Sequence, residues 1–268
     1  MVDKSEKFNW LVRIGYFSRA VLYFTLGLIA LTSAARIAQG TDGIFQAIRG
    51  FPLGTVLLWV MVVGLFAYAL FRLASLVFDI ENNGSDTRGW VHRIGHGASG
   101  IAHLALAYAA FKFATTPAAP ASDGAQQAAS TLLSYEFGGV VLGLIGIAFL
   151  GAAFSQAKKG ITGSFMNRIS AQAPDATRWL GAAGYLARAV VYVVIGWSLI
   201  RAGFLISTAE QVKTLGDAVA SLADDGIVFT LTALGLMLFG LFSLVLARYR
   251  IIPEMDVDGR IPKFRAGR

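Results

Sequence analysis

The chain has 268 residues, of which 56% are hydrophobic and only 15% are charged, and its mean hydropathy is +0.62. Charge this sparse cannot cover the surface of a water-soluble protein of 28.5 kDa, which predicts an integral membrane protein. The net charge is +7, but the basic residues flank the apolar segments and form no continuous patch, so nucleic acid is excluded as the expected partner. Cysteine is absent, which excludes disulfides and thiolate metal sites.

Six apolar stretches approach or exceed the roughly 20 residues that a helix needs to cross the hydrocarbon core. The fourth and sixth stretches contain no charged residue. Because lipid offers the backbone no hydrogen-bond partner, each stretch is expected to be helical. The predicted fold is an all-α integral membrane protein with six transmembrane helices, at 10–35, 54–78, 94–113, 137–157, 179–201 and 227–247.

The loop charges predict the orientation of these helices. The N-terminus (1–9), two loops (79–93 and 158–178) and the C-terminal segment, with their flanking helix ends, carry fifteen Lys or Arg residues, against five on the other side. Positive charge is enriched in cytoplasmic loops, so both termini are expected in the cytoplasm, and the protein in a bacterial inner membrane. The basic tail, 251–268, is expected either to contact anionic lipid or to serve only as a topology anchor.

The three helical hairpins are copies of one repeat. A tryptophan opens each odd-numbered span, and a glycine follows five residues later in all three copies. At offsets of six, nine and thirteen residues the first and third copies have Tyr, Arg and Tyr, whereas the second has His, Ser and His. These matches predict repeats at 10–80, 90–160 and 178–250, which begin with or shortly before Trp10, Trp90 and Trp179.

The loops and the even-numbered spans agree more loosely between copies. Each loop on the far side has an acidic or hydroxyl residue before an apolar run, which predicts a short capped helix in each. Glycines recur in the even spans, and Gly139-x-x-x-Gly143 has the spacing that allows two helices to approach closely in lipid.

The arginine, glycine and tyrosine pattern of the first and third copies is typical of a known family. It comprises Arg13, Gly15, Tyr16, Arg19 and Tyr23, then Gly184, Tyr185, Arg188 and Tyr192. Over residues 10–250 the chain resembles the bacterial domain-of-unknown-function family 1206, described as a pair of transmembrane helices that occurs three times per protein. The second copy departs from this pattern at His96, Ser99 and His103. The resemblance implies the fold and implies no activity.

A polar stripe runs along each odd-numbered span. The residues six, nine and thirteen positions after each opening tryptophan fall within roughly 60° of one another on a helix, so they share one face. Parallel repeats imply a pseudo-threefold axis along the membrane normal, and the stripes are expected to face it while the fourth and sixth spans face lipid. The predicted axis-lining residues are Tyr16, Arg19, Tyr23, His96, Ser99, His103, Tyr185, Arg188 and Tyr192.

Arg19 and Arg188 lie about 13 Å inside their spans, at 1.5 Å per residue, and no span has an acidic residue at that depth. A charge this deep faces protein or water, so the expected partners are tyrosine hydroxyls, helix carbonyls, water, or an anion or lipid phosphate from outside the chain. Arg72 lies nearer a cytoplasmic helix end and is expected to extend to the membrane surface.

The three histidines lie on one face of the third span and admit several roles. Hydrogen bonding in a polar interior, proton relay and metal ligation are all open, and His92 and His96 have the i,i+4 spacing of a metal pair. No carboxylate near His92, His96 or His103 completes a metal site or a catalytic triad, so neither a cofactor nor an enzymatic activity is expected.

Three functions are compatible with these features. The first is a small channel-like or carrier-like bundle whose central stripe binds or passes a small anion or a polar solute. The second is a lipid-binding or scaffold protein that transports nothing but holds a lipid headgroup at the arginines. The third is a metal or redox protein that uses the three histidines.

Overall fold

The structure is a computed structural model that describes residues 4–32, 40–81, 83–116, 124–206 and 208–251. This part of the chain is helical and contains no β-sheet, and its single isolated bridge pairs Ile169 with Arg250. Of the predicted basic tail, 251–268, the structure describes only residue 251. The six long helices are α1 Lys4–Thr32, α3 Gly54–Phe78, α4 Thr87–Thr115, α6 Gly138–Thr162, α7 Thr177–Ile200 and α9 Gly226–Tyr249.

Short helices precede the second long helix of each repeat, as the sequence predicts. They are α2 Gly40–Arg49, α5 Gly124–Leu133 and α8 Leu215–Ala220. Helix α8 begins with a capping box, in which the hydroxyl of Thr214 accepts from the backbone N–H of Asp217 at 3.4 Å and the carboxylate of Asp217 accepts from the Thr214 N–H at 2.9 Å. The cap side chains predicted at 41–42 and 122–123 lie outside the described side chains.

Five of the long helices are apolar and long enough to cross a membrane. These segments are Val12–Thr32, Gly54–Phe78, Gly138–Thr162, Thr177–Leu205 and Gly226–Tyr249. The fourth of them extends beyond α7 through one π-helical turn, Arg201–Leu205. The predicted third span coincides with α4, which is as long as α1 but falls outside this group. Several membrane-crossing helices agree with the multi-pass membrane protein that the composition predicts.

The long helices pack side by side in the order α4, α3, α1, α9, α7, α6. The first helix of each repeat packs along the second helix of another repeat: α4 on α3, α7 on α6, and α1 on α9. Within a repeat, α1 also packs on α3 and α7 on α9. Helices α4 and α6 are both described in full and share no comparable packing, so the hairpin of the second repeat is open.

Glycines explain why two hairpins are closed. A Cβ on Gly15 would lie 2.6 Å from Cβ of Tyr68, and a Cβ on Gly235 would lie 2.5 Å from Cβ of Ala187. These positions require glycine, because the facing helices touch there. In the second repeat, Gly95 and Gly151 have nothing within 4 Å of an added Cβ.

Small residues also bring α6 and α7 together, as Gly139-x-x-x-Gly143 predicts. A Cβ on Gly139 would lie 2.6 Å from the carbonyl oxygen of Gly203, and one on Gly146 would lie 2.7 Å from that of Gly196. Such close backbone approach supplies the packing that holds helices together in lipid.

The even-numbered spans contribute to the interior more than the sequence suggests. The fourth span, in α6, exposes a run of apolar side chains that includes Val140, Val141 and Leu144. The sixth span, in α9, does not only face outward, because Phe239 and Phe242 are completely buried between α1 and α7.

Candidate functional site

Arg19 is buried at the interface between α1 and α3. Its Nη1 donates to the hydroxyl of Tyr68 at 2.8 Å. Its guanidinium also lies over the rings of Tyr16, Tyr68 and Phe239, 5.1–5.3 Å from their centroids. A hydroxyl acceptor and three aromatic faces satisfy the cation without a carboxylate.

Arg188 is held in a similar way on α7. It donates to the hydroxyl of Tyr192, and its guanidinium lies 5.4 Å from the ring centroid of Tyr23 and 4.6 Å from that of Phe239. With its amide oxygen toward Arg188, Gln156 of α6 accepts from both Nη1 and Nη2 at 3.1 Å. The Nε atom of Arg188 is buried and has no hydrogen-bond partner among the described residues.

Two of the three histidines enter this interior. His103 donates through Nδ1 to the carbonyl of Ser99 at 2.7 Å, and its ring centroid lies 4.6 Å from that of Tyr68. Nη1 of Arg72 lies 2.8 Å from Nδ1 of His96; because the guanidinium is the donor, we assign the His96 hydrogen to Nε2. His92 is exposed, and the described residues contain no group of three or more His, Asp and Glu that could hold a metal.

The remaining predicted tyrosines pack with aromatic rings. Tyr16 is fully buried, its hydroxyl has no hydrogen-bond partner in the described part of the chain, and the guanidinium of Arg250 lies 5.4 Å from its ring centroid. Tyr23 meets Phe239 edge to face at 4.9 Å. Tyr185 packs on Phe239 at 5.6 Å. The stripes of α1 and α7 therefore meet around the Phe239 ring, between Arg19 and Arg188.

Sequence reasoning missed Glu81, which lies in the loop after α3 and forms one end of this network. Its side chain is only 7% exposed, and all three ion pairs between arginine and carboxylate among the described residues include it. It contacts Nη1 of Arg168, lies 3.0 Å from Nη2 of Arg250 and 3.2 Å from Nη1 of Arg72, and faces Nε2 of His96 at 3.8 Å. One carboxylate thus joins segments that follow α3, α6 and α9.

Arg72 does not simply extend to the membrane surface as predicted. Its Nε and Nη2 donate to the hydroxyl of Tyr68 at 2.9 and 2.6 Å, and its Nη1 reaches Glu81. A continuous polar path therefore runs from Arg19 through Tyr68 and Arg72 to Glu81. The i,i+4 spacing of Tyr68 and Arg72 on α3 was the sequence signal for this contact.

Lys159 on α6 belongs to the same positive region. Its side chain is exposed, yet it interacts electrostatically with Arg72, Arg188 and the hydroxyl of Tyr68. Arg19, Arg188 and Lys159 have no acidic partner among the described side chains.

Comparison with known proteins agrees with the repeat structure. The family model described as Domain of Unknown Function (DUF1206) matches residues 14–78, 94–163 and 183–250. A Bacillus subtilis (strain 168) protein described as uncharacterized protein YxxB is 28% identical over 263 residues, which cover 92% of this chain and 94% of that protein. No solved structure matches the chain. The chain therefore belongs to the DUF1206 family, whose model recurs once in each of its three repeats.

Proposed function

We propose that the protein is a six-span membrane carrier that binds a small oxyanion, such as phosphate or a carboxylate, in its central positive region. The observation that carries this proposal is Arg188, a half-buried arginine whose Nε is buried without a hydrogen-bond partner and which has no acidic partner among the described residues. Guanidinium groups recognise oxyanions through paired N–H donors, and Lys159 adds a second positive charge beside it.

The sixth span of this carrier is α4. Its 29 residues measure about 43 Å at 1.5 Å per residue, which exceeds the hydrocarbon thickness. It packs along α3 as α7 packs along α6, and its histidines lower its apolar character. With six spans, both termini lie on the same side, which the excess of Lys and Arg in the adjoining loops assigns to the cytoplasm. The cyclic packing of α4 on α3, α7 on α6 and α1 on α9 supports a pseudo-threefold axis.

The anion enters through the open hairpin of the second repeat. The two long helices of this repeat, α4 and α6, do not pack against each other, whereas the corresponding pairs α1 and α3, and α7 and α9, are in contact. Lys159 belongs to α6 and His103 to α4, the two helices that border this opening, and the charge of Arg188 acts on both side chains. A cationic interior that opens toward lipid is costly unless water or an anion occupies it.

A carrier fits the interior better than an open channel does. The ring of Phe239 lies between Arg19 and Arg188, and the ion pairs of Glu81 tie together the ends of three helices. These contacts must rearrange before a solute can pass along the axis. Movement of the anion therefore requires alternation between conformations rather than a continuous pore.

The test combines binding with transport. Purified protein is titrated with inorganic phosphate while its thermal unfolding is followed, and phosphate flux is measured in proteoliposomes. We expect phosphate to raise the unfolding temperature of the wild type and of Arg178→Gln, an exposed arginine on the same helix as Arg188, but not of Arg188→Gln or Lys159→Gln.

Each outcome has a defined meaning. Flux in the wild type that falls in Arg188→Gln supports the carrier. Phosphate binding without flux rejects transport and retains the anion site. If phosphate has no effect, but native mass spectrometry detects a lipid that is lost in Arg188→Gln, the site holds a lipid headgroup, as a non-transporting lipid-binding protein would. No ligand in either assay rejects the proposal.

A further inference from the structure

A second candidate site lies on the opposite side of α1 from this interior. It is a groove of about 850 Å³ whose floor is the outer face of α1 and whose walls are α3 and α9. The floor includes Phe17, and the walls include Val56, Val63 and Leu244, all partly exposed. The body of the groove is therefore apolar and opens toward lipid.

One end of the groove is cationic. Arg13 and Arg248 line it there, next to Trp10, which is 61% exposed. Nη1 of Arg13 donates to the carbonyls of Ala247 at 2.8 Å and Arg248 at 2.5 Å, which fixes this guanidinium at the end of α9. Tryptophan and basic residues at a helix end are typical of the membrane interface.

We propose that this groove binds a phospholipid with an anionic headgroup. The two guanidinium groups face the headgroup phosphate, and one acyl chain lies along Phe17 and Val63. The charge arrangement selects this occupant, because a positive end beside an apolar trough complements an anionic amphiphile and basic pockets at the cytoplasmic side attract anionic lipid. The groove shares none of its lining residues with the Arg188 site.

The second repeat provides a matched control. Arg93 follows Trp90 by three residues, as Arg13 follows Trp10, and it also binds the end of a neighbouring helix. Its Nε and Nη2 donate to the carbonyls of Leu76 and Val77, both at 2.9 Å, but it does not line the groove. Arg93→Gln therefore removes a comparable helix-end contact and leaves the groove unchanged.

The experiment is native mass spectrometry of the full chain in mild detergent with added phosphatidylglycerol or phosphatidylcholine. We expect the wild type and Arg93→Gln to retain phosphatidylglycerol about tenfold more strongly than phosphatidylcholine. Arg248→Gln should reduce this preference several-fold. Val63→Phe keeps both charges but fills the trough, and it should reduce the amounts of both lipids bound.

Quenching of tryptophan fluorescence by brominated acyl chains gives an independent measurement, since Trp10 and Trp59 both line the groove. This quenching should be weaker in Val63→Phe than in the wild type. Equal retention of the two lipids by the wild type, or unchanged binding in Val63→Phe, would overturn the proposal. A mass of two chains that is lost in Val63→Phe would overturn it as well, by assigning the groove to a second copy of the protein.

Discussion

Glu81 is the one carboxylate among four cationic or titratable side chains that surround it, and its replacement by glutamine removes that negative charge. Arg72, Arg168 and Arg250 then face one another with only an amide among them, because their contacts of 3.0–3.2 Å, and the closer one to Arg168, all end on the Glu81 oxygens. The Glu81 side chain is 7% exposed and that of Arg250 13%, so water screens this repulsion poorly.

The expected cost follows from this burial. Removal of one partner from a buried ion pair costs about 3–5 kcal/mol, since the remaining charge is left uncompensated. We expect a value near the lower limit, because Arg168 is 43% exposed and can turn toward water. A loss of about 3 kcal/mol corresponds to a decrease of roughly 6–12 °C in unfolding temperature for a chain of this size.

The assay is thermal unfolding in detergent, followed by intrinsic fluorescence, for Glu81→Gln, Arg250→Gln and the double variant. Because Glu81 and Arg250 are in contact, the decrease in unfolding temperature of the double variant should be clearly smaller than the sum of the decreases of the two single variants. Glu136→Gln, at an exposed site, is the control and should unfold as the wild type does. A Glu81→Gln protein that unfolds within about 1 °C of the control would refute the conclusion that this carboxylate holds the three helix ends together.

Three further predictions address the repeats, the tyrosine network and the loop. Gly15→Ala should destabilise the protein by about 1–3 kcal/mol in denaturant unfolding, because its Cβ would lie 2.6 Å from Tyr68, whereas Gly95→Ala meets nothing and should be neutral or stabilising. Tyr68→Phe removes the acceptor of Arg19 and Arg72 and should cost about 1.5–3 kcal/mol in the same assay. Burial alone would raise the pKa of Asp79, but the backbone N–H groups of Asn83 and Gly84 donate to it and hold its pKa below the ordinary value. This stabilisation is present above the ordinary pKa and is lost as the pH falls through the lowered one. Between pH 5 and pH 2, the unfolding temperature of Asp79→Asn should therefore decrease less than that of the wild type. This range is set around the ordinary aspartate pKa of about 3.9.

Much of the fold is readable from the sequence because it depends on local patterns. Apolar length predicts the helices, and the shared offsets predict that Arg19 and Arg188 occupy equivalent positions. Glycine spacing predicts that another helix approaches closely at Gly139, although only the structure identifies Gly203 as the contact. The expected tyrosine partners are also present, although Arg19 uses Tyr68 of the next long helix rather than a tyrosine of its own stripe. Helix periodicity determines which face a residue occupies but not which neighbouring helix lies there.

The role of Glu81 could not be predicted in the same way. It lies in a loop, outside every periodic segment, and its partners Arg168 and Arg250 are 87 and 169 residues away in the chain. Their meeting depends on the convergence of the segments that follow α3, α6 and α9. That convergence is a property of how the repeats pack, and a single sequence carries no local sign of it.

The second repeat differs from the others in sequence and in packing at the same place. His96, Ser99 and His103 replace the Tyr, Arg and Tyr of the other copies on α4, and this helix does not close on α6. In the first and third repeats a closed hairpin encloses an arginine with aromatic rings and hydroxyls. A third such hairpin would leave Arg188 and Lys159 enclosed by protein, where a positive charge without a counter-ion is most costly. Because the second hairpin is open and its stripe has no arginine, the proposed anion would meet the charges of the other repeats from this polar side.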